Sequence, residues 1–358
     1  MADRSLCAQV AGHPLRTSTL LFAVLLLSAC GADAPEPAGA EASTYELAGA
    51  AMGTTWNIKV TDFPEDVDRL ALRDDLEALM VSSERALSTY LPGSDLSRFN
   101  ANTSIDWISV SLELCTIVDI ALELGRMSGG TFDVTVGPLV NLWGFGPEGA
   151  RNDPPGAEQV TSALELTGHQ QLEADCDRPA LKKARPEVYV DLSAFAKGYT
   201  VDKLAYELNA RGVSNYLVEI GGELRAHGLN ASGKPWSIAI EEPRLSGRSV
   251  QTIVGLSDSG MATSGDYRNF FQHEDTLYSH TIDPRTGLPI AHDGASVTVV
   301  AESTGFADAM ATALLVLGPD DGIEFAERHD IAALFLVRTE SGIHERRSAQ
   351  FETEVSTL

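Results

Sequence analysis

Basic residues are scarce in this 358-residue chain, where 26 Lys and Arg face 51 Asp and Glu for a formal charge of −25. Nucleic-acid backbone binding needs a basic excess to replace counterions, and none is available. The same shortage means that an anionic small molecule must meet locally gathered positive charge, from a metal or from a few basic side chains. Cysteine is scarce too. The four present form no closely spaced cluster of the kind that holds structural zinc. Long apolar runs are also missing, since LLFAVLLL at residues 20–27 is too short to span a bilayer as a mature helix. There is no internal repeat and no second linker.

What is there begins with a targeting segment. Arg4 and Arg16 precede the apolar run, which ends in LSAC, Leu27 to Cys30. That ending resembles the bacterial lipobox, in which the cysteine becomes the lipidated first residue; the plainer reading is a secretory signal with a chance cysteine. On the lipobox reading, residues 1–29 are a lipoprotein signal peptide and Cys30 carries the lipid. Residues 30–44, containing GADAPEPAGAEAST, form a flexible tether. The protein is then expected in the bacterial cell envelope, lipid-anchored to a membrane and facing the periplasm. Cys115 and Cys176 remain beyond the anchor and read as structural. An oxidising envelope permits a disulfide between them, but their spacing does not decide it.

Residues 45–350 read as one α+β domain with an antiparallel-rich sheet and packed helices. YELAGAAMGTTWNIKV gives two strands around a Met52–Gly53 turn. Helical periods cover residues 66–90 and 111–127, the first stopped by Leu91–Pro92–Gly93 and the second by Ser128–Gly129–Gly130. Residues 151–186 are turn-rich, with a short helix at most. EVYVDLSAFAKGY then reads as a strand, a sharp turn and a helix that ends at Gly212. Strands follow in NYLVEIGG, LRAHG, WSIAIEEP, QTIVGLS, GMATSG and LYSHTID, before a final helix and an apolar strand at 331–337.

Several stretches hold polar residues where packing alone would not put them. In GFADAMATALLVLG, Ala307, Ala311, Leu314 and Leu315 fall on one helical face. Asp308 is expected in the first turn, where it either complements the helix dipole or, with Thr312 one turn on, supplies hard oxygen ligands to Mg²⁺. In VDLSAFAKGY, Asp191 ends the expected strand. Lys197 either reaches an anion at the helix N-terminus or is a surface lysine at a corner. Ser264–Gly265–Asp266, followed by Tyr267 and Arg268, makes either a phosphate-holding turn or a plain hairpin. His280, on a strand before the Asp283–Gly287 turn, is either structural or a general base. Asp133, Asn141, Trp143 and Phe145 line a planar aromatic ligand or cap a core.

Taken in order, MGTTW, LSTYLPGSDLSRFN, TFDVTVGPLVNLWGFG, DLSAFAKGY, VEIGGELRAHG, ATSGDYRNF, SHTIDPRTG and ADAMATAL closely resemble the ApbE family of FAD:protein FMN transferases. The likeness runs from about residue 47 to residue 337. It implies a single ApbE-like, T-fold-related domain that takes FAD as substrate. With Mg²⁺, such a domain transfers FMN to a threonine hydroxyl of an acceptor flavoprotein bearing an SGAT-like motif, and releases AMP. By motif position, Asp308, Thr312 and the main-chain oxygen of Ala194 would hold the metal. Met52, Tyr90, Thr131, Phe132, Asp133, Asp191, Lys197 and Ile282 would contact FAD, and His280 would activate the acceptor hydroxyl. Two other activities fit the same residues: an FAD pyrophosphatase giving FMN and AMP, and a non-catalytic flavin-binding lipoprotein. SGMAT, Ser259 to Thr263, faintly resembles the acceptor motif and raises self-modification at Thr263 as a further idea.

Overall fold

Trp56, Ile58 and Val60 are buried at every second position, and this alternation sets the first hairpin, Thr44–Ala51 against Thr54–Thr61. Its turn has positive φ at both Met52 (53°) and Gly53 (74°), the twist that a two-residue hairpin loop favours. The structure is a computed structural model that describes residues 43–151, 153–244 and 247–358. Cys30, the expected signal peptide and nearly all of the expected tether lie outside the described residues. Among the described residues no helix is long and apolar enough to cross a membrane.

Eight strands form the main sheet in the order Thr44–Ala51, Thr54–Thr61, Tyr216–Ile220, Glu223–His227, Ser259–Gly265, Gly294–Ala301, Ala332–Thr339 and Gly342–Arg347. Every neighbouring pair is antiparallel. Ala262, Val297, Val299, Ala333 and Phe335 pack towards the helices Leu112–Met127 and Thr304–Leu317. On the other face, Met261, Val300, Leu334 and Leu336 meet Trp236, Ile238 and Ile240 of a three-stranded sheet. The α+β, antiparallel-rich class is therefore as expected. Packing also continues beyond residue 350, since Phe351 and Val355 are buried in this same cluster between the two sheets.

Four local expectations change. The central strand Gly294–Ala301 was not anticipated. It is buried on both faces, so it lacks the alternation that marks a half-exposed strand. Residues 151–186 contain the helix Ala157–Leu164 and also a hairpin, Leu172–Asp175 with Ala180–Lys183. EVYVDL forms no ladder. Val190 N donates to the Asn100 side chain, whose amide donates back to Val190 O, and Asp191 N donates to Val134 O. Single side-chain and loop partners thus satisfy what a neighbouring strand otherwise would. Finally, two helices follow Thr304–Leu317, at Pro319–Arg328 and Ala349–Glu354.

Cys115 and Cys176 form a disulfide that pins the Leu172–Lys183 hairpin region to the helix Leu112–Met127. The bridge closes a span of 61 residues, for which loop-closure entropy gives up to about 4 kcal/mol. Cys176→Ser should accordingly lower the unfolding free energy by roughly 2–4 kcal/mol. Urea titration of the variant and the oxidised parent measures this, and an unchanged midpoint would show that the bridge contributes nothing.

Candidate active site

Two helices cross at their N-terminal turns, and the crossing builds the site. The helix Ala196–Ala210 starts without a side-chain cap of its own. Gly198 lies in the first turn, where an N–H has no intrahelical acceptor, and it donates to Asp308 Oδ2 at 3.1 Å. The second helix is served in return. Asp202 accepts from Thr304 N and Gly305 N at 2.9 Å each and from Ser303 Oγ at 2.8 Å. Each helix N-terminus, with its partial positive charge, faces a carboxylate from the other helix. Such an approach demands glycine at both contacts. A Cβ on Gly198 would lie 2.5 Å from Thr304 O, and one on Gly305 would lie 2.8 Å from the Phe195 ring.

This corrects the expected place of Asp308. The helix Thr304–Leu317 is capped by Ser303, whose Oγ accepts from Phe306 N, so Asp308 sits beyond the first turn. It complements the neighbouring helix rather than its own.

A cavity of about 370 Å³ opens on the crossing and is lined by Ala194, Lys197, His280, Ile282, Asp308 and Thr312. Six residues singled out from the sequence thus converge in one place. Met52 and Tyr90 line a second cavity, of about 620 Å³, which shares Ser193 and Lys197 with the first. Asp191 is buried behind both. Its Oδ1 accepts from Ser193 N at 2.8 Å and Ser193 Oγ at 2.6 Å, which holds the turn that separates the cavities.

Thr131, Phe132 and Asp133 line neither cavity. All three are buried, with Thr131 Oγ1 donating to Ser128 O and Phe132 N to Ser128 Oγ. Burial pushes the Asp133 carboxyl up, although Thr135 N and Oγ1 both donate to it. Trp143 belongs to an aromatic core with Phe271 and Tyr278, and its Nε1 donates to Gly287 O at 2.9 Å. Asp266 does not stand free for a phosphate, because Arg338 grips both its carboxylate oxygens, at 2.8 and 2.6 Å. Thr263 bonds Thr298 across the central strands at 2.8 Å.

Glu223 escaped the sequence reading, and it matters. Its Oε1 lies 3.2 Å from Lys197 Nζ, while Oε2 is buried without a partner. Burial pushes this carboxyl up to about 8, Lys197 opposing and Asp308 adding to the shift. Burial likewise raises Asp308, against the pull of Lys197 and of the Gly198 N–H. Lys197 itself is raised, because Asp308 and Glu223 together outweigh its own desolvation. Two buried carboxyl groups therefore flank one ammonium, and burial favours the protonated form of Glu223 near pH 7. The only sequence signal was a charged residue directly after Gly221–Gly222, on a strand whose next residue is apolar.

His280 lies just past the end of the strand Thr276–Ser279 rather than on it. Its Nδ1 is 2.9 Å from Asn269 O. A carbonyl only accepts, so Nδ1 carries the proton and the neutral ring keeps its lone pair on Nε2. Burial lowers the imidazole below its ordinary value, against the raising effects of Asn269 O and Asp266. The ring is therefore neutral near pH 7 and competent to take a proton.

Among the described residues no cluster of three or more His, Cys, Asp or Glu side chains could hold a metal. The donors that do meet here suit a hard cation of another style. Asp308 offers a carboxylate, Thr312 a hydroxyl, and Ala194 a main-chain carbonyl just before the helix start. Mg²⁺ takes few protein ligands and keeps waters or phosphate oxygens at its other positions. The unpartnered Glu223 Oε2 and the second carboxylate beside one ammonium are consistent with room for added positive charge.

Comparison with known proteins agrees with this geometry. The model of the ApbE family matches residues 52–335. An FAD:protein FMN transferase of Vibrio cholerae serotype O1 is 43% identical over 336 residues, which is 94% of this chain and 98% of the relative. One from Haemophilus influenzae is 41% identical, covering 88% and 93%. The solved flavin transferase ApbE from Vibrio cholerae superposes with a TM-score of 0.81 at 44% identity, over 87% of this chain and 99% of that one. The apo form of the flavinyl transferase ApbE of Pseudomonas stutzeri gives 0.80 at 40% identity, over 87% and 96%. Fold and site together define a flavin-transferase architecture. The chain belongs to the ApbE family.

Because Gly198 sets the helix separation, Gly198→Ala should force the crossing apart. It should cost about 1–3 kcal/mol of stability, as overpacking does, and weaken FAD binding. Thermal melts and flavin fluorescence titration measure the two effects; wild-type values in both would show that the close approach is not needed.

Proposed function

We propose that this enzyme is an FAD:protein FMN transferase that moves FMN from FAD to a threonine hydroxyl of an acceptor protein and releases AMP. One observation carries the reading. A single cavity brings the oxygen donors Asp308, Thr312 and Ala194, the Lys197 ammonium and the basic nitrogen of His280 together. Binding an isoalloxazine alone would require neither the oxygen set nor the base.

The chemistry follows from charge. A pyrophosphate is anionic and repels an oxygen nucleophile, in a chain with no general excess of positive charge. Lys197, held protonated by Asp308 and Glu223, supplies a fixed cation at the cavity wall. Mg²⁺ bound by Asp308, Thr312 and the Ala194 carbonyl would supply further neutralisation of the phosphates and of the leaving AMP. The threonine oxygen forms a bond to the phosphorus on the FMN side, and the bond from that phosphorus to the bridging oxygen breaks. AMP leaves with the bridging oxygen. The hydroxyl proton passes to His280 Nε2, which Asn269 O orients through Nδ1. Met52 and Tyr90, which line the adjoining cavity with Lys197, would hold the rest of the dinucleotide.

The setting is part of the proposal. Lipidation at Cys30 would tether the enzyme to a bacterial membrane on the periplasmic side, near envelope acceptor proteins. The LSAC pattern supports this, and the Cys115–Cys176 bridge suits an oxidising compartment.

Two substitutions test the mechanism. Asp308→Asn keeps an oxygen for the Gly198 N–H but removes the charge. It should abolish FMN transfer while leaving the melting temperature within a few degrees, so retained turnover at limiting Mg²⁺ would remove Asp308 from the metal site. His280→Ala should slow single-turnover transfer about a hundredfold or more at saturating FAD. In the parent the rate should fall on the acid side with an inflection below the ordinary imidazole value, because the lowered imidazole must lose its proton to act. The variant should lack that inflection. A variant with the parent's rate and pH profile would rule out the base.

A further inference from the structure

A third cavity, of about 460 Å³, adjoins the catalytic one and has no part in the chemistry above. One wall is the strand Trp236–Glu241. This strand has a ladder partner on one side only, Val250–Leu256, so among the described residues its other edge is open. Four consecutive residues of it, Ile238 to Glu241, line the cavity. Side chains of a strand alternate between faces, so a run of four in sequence means that the cavity follows the backbone edge itself.

The facing wall is also an open edge. Ser259–Gly265 pairs with Glu223–His227 only as far as Met261, because the partner strand ends at the Gly221–Gly222 turn. Thr263 and Gly265 line the cavity beyond that point. Unpaired N–H and C=O groups along two strand edges need partners, which water or another chain must supply.

The slot leads to the chemistry. Thr263, Gly265 and Arg268 line both this cavity and the catalytic one. Its charges are largely balanced internally: Glu241 is bridged by Arg268 and lies 3.5 Å from Arg248. Such walls suit an uncharged main chain better than a charged side chain.

We propose that this slot docks the acceptor protein, which enters as an extended segment, adds a strand beside Trp236–Glu241 and so delivers its threonine to His280. The proposal rests on the transfer reading above. Four residues at roughly 3.3 Å each offer about 13 Å of edge, enough to hold the residues that flank one threonine. Main-chain hydrogen bonds would supply affinity, and the internally paired charges would favour uncharged neighbours of the threonine.

The test uses the whole enzyme, FAD, Mg²⁺ and a synthetic peptide of about 20 residues centred on Ser-Gly-Ala-Thr. Ala239 is exposed on the edge strand and outside the catalytic cavity. Ala239→Trp should raise KM for the peptide about tenfold or more, with the FAD dissociation constant and the kcat unchanged within about twofold. Ala239→Ser should behave as the parent. In hydrogen exchange on the parent enzyme, a peptide with valine in place of the threonine should protect the amides of Ile238 to Glu241. A parent-like KM in a folded Ala239→Trp, or no protection of those amides, would overturn the docking proposal. Failure of the parent itself to transfer FMN to the peptide would instead sink the transfer reading.

Discussion

The site depends on the exchange of carboxylates between two helix starts. Asp308 serves the N-terminus of Ala196–Ala210, and Asp202 serves that of Thr304–Leu317. Neither helix could be moved or turned without leaving buried N–H groups unpaired, a cost of about 1–3 kcal/mol for each. Gly198 and Gly305 permit the separation, and the carboxylates hold it. The spatial relation between Ala194, Asp308 and Thr312 is thereby fixed before any ligand arrives, which is the pre-organisation that charge stabilisation requires.

The crossing also explains a tension within the site. The bond from the Gly198 N–H to Asp308 joins the two helices at the cavity that Ala194 also lines. The same geometry buries two carboxylates around Lys197, with Glu223 pushed up to about 8 by burial and by Asp308. A core built for stability alone would avoid such an arrangement. Its persistence in a cavity wall is understandable if anionic phosphates and a cation are to be balanced there.

Much of the fold was legible from local signals. The helix Leu112–Met127 was bounded correctly because Ser111 caps it and Ser128–Gly129–Gly130 stops it. The Met52–Gly53 hairpin was legible for the same kind of reason. The strand Gly294–Ala301 was not, since burial on both faces removes the period-two pattern, and EVYVDL looked like a strand although its partners are Asn100 and Val134. In each miss the deciding partner lies far away in sequence.

By itself, the sequence determined which residues could do chemistry and which of them share a short segment: Asp308 with Thr312 one helical turn on, and Lys197 beside its turn. Those are local relations, set by helix pitch and turn composition. Only the tertiary structure decided that Glu223 pairs with Lys197, that Asp308 acts on the neighbouring helix, and that Thr131, Phe132 and Asp133 are buried and line neither cavity. It also decided that His280 keeps its free nitrogen on Nε2, because Asn269 O is what faces Nδ1. Charge pairing, burial and tautomer all depend on neighbours supplied by other elements, and no spacing along the chain encodes them.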